Sequence, residues 1–316
     1  MIKSTKPIYL DASTLLGSGQ IVRLAIAFSA VLQRPIILER IRERRDNPGL
    51  KEHHLLAAKT IARMMNARIE GATIGSRDLF VSSGSLQGGT YNLSIEGTGS
   101  SVNVLQSAMI PAFFAKRKTT LLIQGGTFFP WIHFNACVVP LLRRMGIHLL
   151  PFSDNDRIGI TIEPNTRLRP LTLSARGIFR NRNTVASGRS SLRGFNLFTP
   201  VDYFLVKAEK VSLTTIYSFA NVAIGFDGIL GKGKEETTEE EIAGRANSEL
   251  NTSATVDTKT AEQIIPWLAI SQSSSLRVSH MTEHLETALW LIEHLLKKQI
   301  TVLKHSDCIS ISSKGA

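Results

Sequence analysis

The sequence predicts a mixed α/β (α+β) fold assembled from a repeated unit, and three observations predict it. A strand-like run, a glycine-bearing turn and a helical run come round three times in the first half of the chain. The helical runs carry apolar residues every three to four positions, whereas the strand-like runs are short. After Gly146 the composition shifts to turn formers, Arg, Asn and Ser, which marks a second kind of structure.

Residues 6–11 read as a strand running into Leu15-Leu16-Gly17-Ser18-Gly19-Gln20. A helix follows over IVRLAIAFSAVL, with Ile21, Leu24, Ala25, Phe28 and Leu32 on its buried side. Residues 35–38 form the next strand, and a run of arginines leads to the Asn47-Pro48-Gly49 turn. A second helix over 51–66 opens with His53 and His54, and strands at 68–74 and 79–82 complete the unit. The pattern returns with strand YNLSIEG, the glycine turn 97–99 and helix VNVLQSAMIPAFFA. It returns again with strand TTLLIQ, Gly125-Gly126 and a helical region over 132–145. Beyond Gly146, 158–162 reads as a strand and 176–200 lacks periodicity. Strands are expected over 204–211 and 212–226, then an acidic helix over 235–250. The chain closes with a helix over 259–270 that is bent or bounded at Pro266, and strands ITVLKHS and CISIS.

The 316 residues carry a formal charge of +11, which points to a polyanionic partner, most simply nucleic acid. Cys137 and Cys308 are too few for a disulfide framework, so a reducing cytoplasm is expected. The N-terminal residues lack the apolar core of a signal peptide, and apolar stretches such as 110–115 are too short to span a bilayer.

The candidate nucleophile lies in VSHMTEHLETALWLIEHLLKKQI. Thr282 serves as N-cap for a helix starting at Glu283, and Leu285, Leu289, Ile292 and Leu296 share one face. His284 therefore sits in the first turn, where backbone N–H groups favour an anion and disfavour an imidazolium. Local evidence leaves two readings open: a surface histidine at a helix start, or a neutral nucleophilic imidazole. The run from His280 to His284 also spells H-x-x-E-H, the inverted zinc-peptidase pattern. With Thr282 as the cap, His280 falls off the helix, and the shared face that zinc requires is lost.

Eight stretches together resemble the RNA 3′-terminal phosphate cyclase family. They are LGSGQIVRLAIAFSAVLQRP, IRERRDNPGLKEHHL, IEGATIGSRDL, GTGSSVNVLQSAMIPAFFA, PLLRRMGI, GFDGILGKGKEE, KTAEQIIPWLAI and EHLETALWLIEHLL, in the family's order over most of residues 8–300. The resemblance implies a large domain of three repeated α/β units over 1–177 plus 251–316, with a smaller α/β domain inserted over 178–250. It implies an ATP-dependent conversion of an RNA 3′-phosphate end to a 2′,3′-cyclic phosphate through a histidine–AMP intermediate, with a divalent cation (Mg or Mn).

Residue by residue, His284 matches the family's nucleophile. Arg23, Arg42 and Arg45 match arginines that face phosphate, where the guanidinium fork suits the developing charge. His54 matches an active-site histidine, and Gln20 and Gln106 match polar contacts to nucleotide or end phosphate. Read without the resemblance, the arginines are equally a solvated basic face and the glutamines helix-surface residues.

The departures fall on the same cleft. Leu16 stands where the family has a metal-holding glutamate, Glu262 where it has an aspartate, and His53 where it has a glutamine. Phe128-Phe129 occupy a usually polar turn, and LLPFSDNDR replaces a glycine-rich loop. Two functions are therefore expected as alternatives: an active cyclase acting on RNA 3′ ends, or a cyclase-like RNA-binding protein that has lost turnover.

Overall fold

Two stretches of chain fold to one plan. In the first, β1 (Ile8–Asp11) and β2 (Ile36–Glu39) are parallel neighbours joined through α1 (Gly19–Leu32). The chain then passes through α2 (Glu52–Met65), β3 (Ile69–Glu70) and β4 (Leu79–Val81). β4 returns antiparallel to β2 with β3 outermost, giving the order β1-β2-β4-β3. In the second, β5 (Gly89–Ser100), α3 (Ser101–Phe113) and β6 (Thr119–Thr127) repeat the parallel crossover. A helical segment of α4 (Trp131–His133), a π turn (Phe134–Val138) and α5 (Val139–Arg144) follows. β7 (Leu149–Ser153) and β8 (Arg157–Ile162) then complete the order β5-β6-β8-β7.

Next, β9 (Phe179–Ser187), β10 (Val201–Phe204), β11 (Ser212–Phe219) and β12 (Ala223–Ile229) form a separate sheet in the order β10-β9-β11-β12, followed by α6 (Glu239–Leu250). A third copy of the plan is split around this sheet. Thr172 makes one parallel bridge to Ser275, taking the place of a first strand beside β13 (Ser275–Val278). α7 (Thr258–Ile270) precedes β13. After it come α8 (Glu283–Leu291), a π turn (Ile292–Leu296), β14 (Ile300–Lys304) and β15 (Ile309–Ser313), with sheet order β13-β15-β14. The computed structural model describes residues 6–15, 17–154, 156–165, 167–187, 201–204, 212–229 and 238–314. Leu16, nearly all of the strand expected over 204–211 and the expected helix start at Glu235 lie outside them.

The periodicities explain the layers. Along β1, Ile8 and Leu10 are buried while Tyr9 and Asp11 face out, as one-sided sheets require. α1 buries Ile21, Val22, Ala25, Ile26 and Phe28, and packs against α2, α3 and α8; α7 packs against α8. The helices thus form a shared core between sheets. Each fully buried Ile, Leu or Phe there contributes about 1.5–3 kcal/mol of transfer free energy.

Several expectations shift. The strand expected over 212–226 is two antiparallel strands, reversed where Phe219 N–H donates to Val222 C=O. The glycines at 97 and 99 extend β5 instead of opening α3, whose cap is Ser100. Only Ile69–Glu70 of the 68–74 strand forms. Residues 149–153, expected as loop, pair with β8. α7 runs through Pro266 as one helix. Among the described residues no helix is long and apolar enough to cross a membrane.

Candidate active site

Four helices bring their polar positions to one cavity of about 380 Å³. α1 supplies Gln20 and Arg23; α3 supplies Asn103 and Gln106; α7 supplies Lys259, Glu262 and Gln263; α8 supplies His284. Its apolar wall includes Leu24, Ile110, Phe134, Pro266 and Trp267. Three of the helices start here with side-chain caps. Ser18 Oγ accepts from Gln20 N at 3.3 Å, Ser100 Oγ from Asn103 N at 3.3 Å, and Thr282 Oγ1 from Leu285 N at 3.1 Å. Their positive ends make the cavity hospitable to an anion.

His284 stands at the rim. Its Nδ1 lies 3.0 Å from Gln20 Oε1. An amide oxygen only accepts, so Nδ1 carries the proton and Nε2 keeps its lone pair. Partial burial, then the charges of Arg23 and Arg45, hold the His284 pKa below the ordinary histidine value. Both arginines thus sit close enough to act on the ring, as expected. Arg23 has no hydrogen-bond or ion-pair partner among the described residues. Burial pulls its pKa down to about 10, which leaves it charged at neutral pH. Arg45 faces a shallower pocket beyond the rim, shared with Leu15, Arg44, Glu283 and Glu286.

The other expected residues divide. Arg42 turns inward and donates from Nη1 to Asn47 O at 2.5 Å and Gly49 O at 3.2 Å, bracing the arginine-rich loop. His54 is buried behind the cavity wall. Its Nδ1 accepts from Lys51 N at 3.3 Å, and its ring lies beneath the start of α1, where a Cβ on Gly19 would meet Nε2 at 1.7 Å. Only glycine fits at that position. Burial and then Arg23 depress the His54 pKa strongly, so it is a neutral ring supporting α1. Gln106 Nε2 donates to Gln263 Oε1 at 2.5 Å across the cavity floor. Glu262 lines the cavity and accepts from Thr282 Oγ1 at 2.6 Å; burial pushes its pKa up to about 7. The zinc pattern dissolves as expected: α8 starts at Glu283, and His280 lies outside it beside Ser279 Oγ.

Lys259 and Gln263 were not singled out in the sequence. Lys259 Nζ pairs with Asp227 Oδ1 at 2.5 Å and lies 4.4 Å from the Phe129 ring centroid. The available signal was a stripe: Lys259, Glu262, Gln263 and Pro266 follow the i, i+3, i+4, i+7 spacing of one helix face.

Behind the wall, His133 Nε2 lies 3.0 Å from Asp257 Oδ1 with Cys137 beside them, a grouping the sequence did not reveal. The Thr260 hydroxyl fills its centre, donating to Asp257 Oδ2 at 2.8 Å and lying 3.4 Å from His133 Nε2. The network fastens the start of α7 through Asp257 and Thr260. Among the described residues the cavity offers no all-protein cage for a divalent cation. Its one lining carboxylate, Glu262, accepts from Thr282, so a Mg or Mn ion there would take most of its ligands from water and substrate phosphates.

Comparison with known proteins places the chain in a family. The profile of the RNA 3′-terminal phosphate cyclase family matches residues 14–302. The RNA 3′-terminal phosphate cyclase of Methanosarcina acetivorans is 30% identical, covering 96% of this chain and 99% of its own. Those of Methanothermobacter thermautotrophicus and Pyrococcus furiosus are 29% and 30% identical, covering 93% of this chain and 96% and 95% of their own lengths. With the match spanning nearly the whole chain, the protein belongs to the RNA 3′-terminal phosphate cyclase family.

Proposed function

We propose that this chain is an ATP-dependent RNA 3′-terminal phosphate cyclase working through a covalent His284–AMP intermediate. The observation that carries this reading is the His284–Gln20 hydrogen bond. It leaves Nε2 unprotonated on a histidine that lines the same cavity as Arg23, which has no hydrogen-bond or ion-pair partner among the described residues.

The chemistry follows from those groups. Nε2 attacks the α-phosphorus of ATP; an N–P bond forms, the α–β bridging P–O bond breaks, and diphosphate leaves with the electron pair. The ring becomes cationic while keeping Nδ1–H, and the Gln20 oxygen stabilises it. Arg23 meets the charge that builds on the non-bridging oxygens. An oxygen of the RNA 3′-phosphate then attacks the same phosphorus and breaks the P–N bond, returning His284 to its neutral form. The neighbouring 2′-hydroxyl attacks the 3′-phosphorus and loses its proton to solvent. AMP leaves and the ring closes. The excess of basic residues suits an RNA partner held by its backbone phosphates.

The test uses α-labelled ATP with a divalent cation and a 3′-phosphorylated oligoribonucleotide. Acid-labile, base-stable label on the protein, absent in His284→Ala, together with a phosphatase-resistant RNA end, supports the reading. Cyclisation that persists in His284→Ala overturns it.

A further inference from the structure

We infer that Thr282 and Glu262 are positioning residues for His284, tying α8 to α7 so that the imidazole stands at a fixed point on the cavity rim. This rests on the proposed role of His284.

Thr282 precedes His284 by two residues, and its single hydroxyl makes two bonds. A lone pair of Oγ1 accepts Leu285 N–H at 3.1 Å, which sets the first turn of α8. Its proton goes to Glu262 Oε1 at 2.6 Å, on the neighbouring helix. One proton and two lone pairs are compatible with both at once. A cap alone would shape the turn but leave it free to move as a body against α7. The carboxylate removes that freedom.

His284 is therefore held from two directions. Gln20 on α1 fixes the ring through Nδ1, and Glu262 on α7 fixes the backbone beneath it through Thr282. The same contact gives the Glu262 carboxyl an occupation within the protein, distinct from the ligand contact its position in the cavity first suggests. Neither the cap assignment nor the match at residue 262 contains this link, because the partners lie 20 residues apart on different helices. An in-line attack loses rate steeply when the nucleophile is displaced, so a tie that adds nothing to ATP binding still governs turnover.

The experiment measures the maximal rate of labelling by α-labelled ATP, and its KM, in the full-length chain. Thr282→Val keeps the side-chain volume but removes both bonds. It is expected to slow labelling by about 10- to 100-fold while the KM for ATP moves by no more than about twofold. Thr282→Ser keeps the hydroxyl and is expected to restore the rate. Glu262→Leu removes the acceptor and is expected to slow labelling by about 10- to 100-fold while the KM for ATP moves by no more than about twofold. Thr238→Val removes a comparable cap from α6, whose Thr238 Oγ1 accepts from Glu241 N. It is expected to lower thermal stability without slowing labelling, which separates positioning from folding.

Label on the wild type with Thr282→Val labelled equally fast overturns the inference alone. So does a tenfold or greater rise in KM for Glu262→Leu at unchanged maximal rate, since that marks Glu262 as a ligand contact. An unlabelled wild type overturns the reading of His284 and this inference with it.

Discussion

Gln20 Oε1 and His284 Nδ1 meet at 3.0 Å although 264 residues separate them in the chain. The bond selects the tautomer in which Nε2 is free, so the second residue of α1 decides the chemistry of α8. Gln20→Leu keeps the volume and removes the acceptor. Losing one hydrogen bond to a ring that becomes charged costs about 1.5–3 kcal/mol, a roughly 10- to 100-fold drop in labelling rate. Gln20→Glu does something different: its carboxylate favours the imidazolium, so activity at low pH falls away sooner. Rate against pH for both variants checks the pair of outcomes.

The pH profile of the unmodified protein follows from His284's surroundings. Desolvation, then Arg23 and Arg45, depress its pKa, so it is neutral at pH 7 and protonates only below the ordinary histidine range. The acid limb of the labelling rate is expected below pH 6.5. Arg23→Met removes one depressing charge and the phosphate donor together. The limb should move up toward 6.5 while the maximal rate drops. A limb that stays put in Arg23→Met would separate Arg23 from the imidazole.

How much of this was legible in the sequence depended on whether a signal was local. The Thr282 cap and the start of α8 at Glu283 were readable because a cap and an apolar stripe are short-range features. The repeat was legible in part from strand–turn–helix spacing, and the two complete copies share one strand order, but the third round read over 119–145 is the second half of the second copy. The third copy's first strand is a single bridge at Thr172 and leaves no pattern to read. The reversal between β11 and β12 was missed because Ala220-Asn221 interrupts a continuous β-favouring run without a glycine or proline. At the site, residue types were readable and partners were not. Arg23 and Arg42 look alike in sequence, yet one lines the cavity without a partner among the described residues and the other is bound to loop carbonyls.

Two half-buried groups give the stability opposite pH dependences. Burial, then Arg23, lowers the His53 pKa to about 4. Between pH 6.5 and 4 the unfolded chain therefore takes up a proton there that the folded chain refuses, and stability is lost as pH falls. Glu262, raised to about 7 by burial, binds its proton in the folded state first, so between pH 7 and 4.5 it favours folding as pH falls. One proton corresponds to a slope of up to about 1.4 kcal/mol per pH unit. His53→Asn is expected to flatten the fall in unfolding free energy toward acid, and Glu262→Gln to steepen it. Urea denaturation from pH 7 to 4.5 measures both, and equal slopes in the two variants would contradict the assignment.

Arg42 and Arg23 are expected to fail in different ways. Resemblance alone assigns both to phosphate, with a cost of about 1.5–3 kcal/mol in ligand binding on removing Arg42. In the fold, Arg42 is buried with a positive φ of 53° and donates Nη1 to the carbonyls of Asn47 and Gly49, closing the loop that presents Arg44 and Arg45. Arg42→Ala strips the carbonyls of exposed Asn47 and buried Gly49 of a charged donor, so the same range of about 1.5–3 kcal/mol is expected in folding stability. Arg23→Met breaks no protein contact among the described residues, so stability should hold while labelling slows. Urea midpoints and labelling rates on the two variants, read side by side, test this. A stable but inactive Arg42→Ala would return Arg42 to the phosphate.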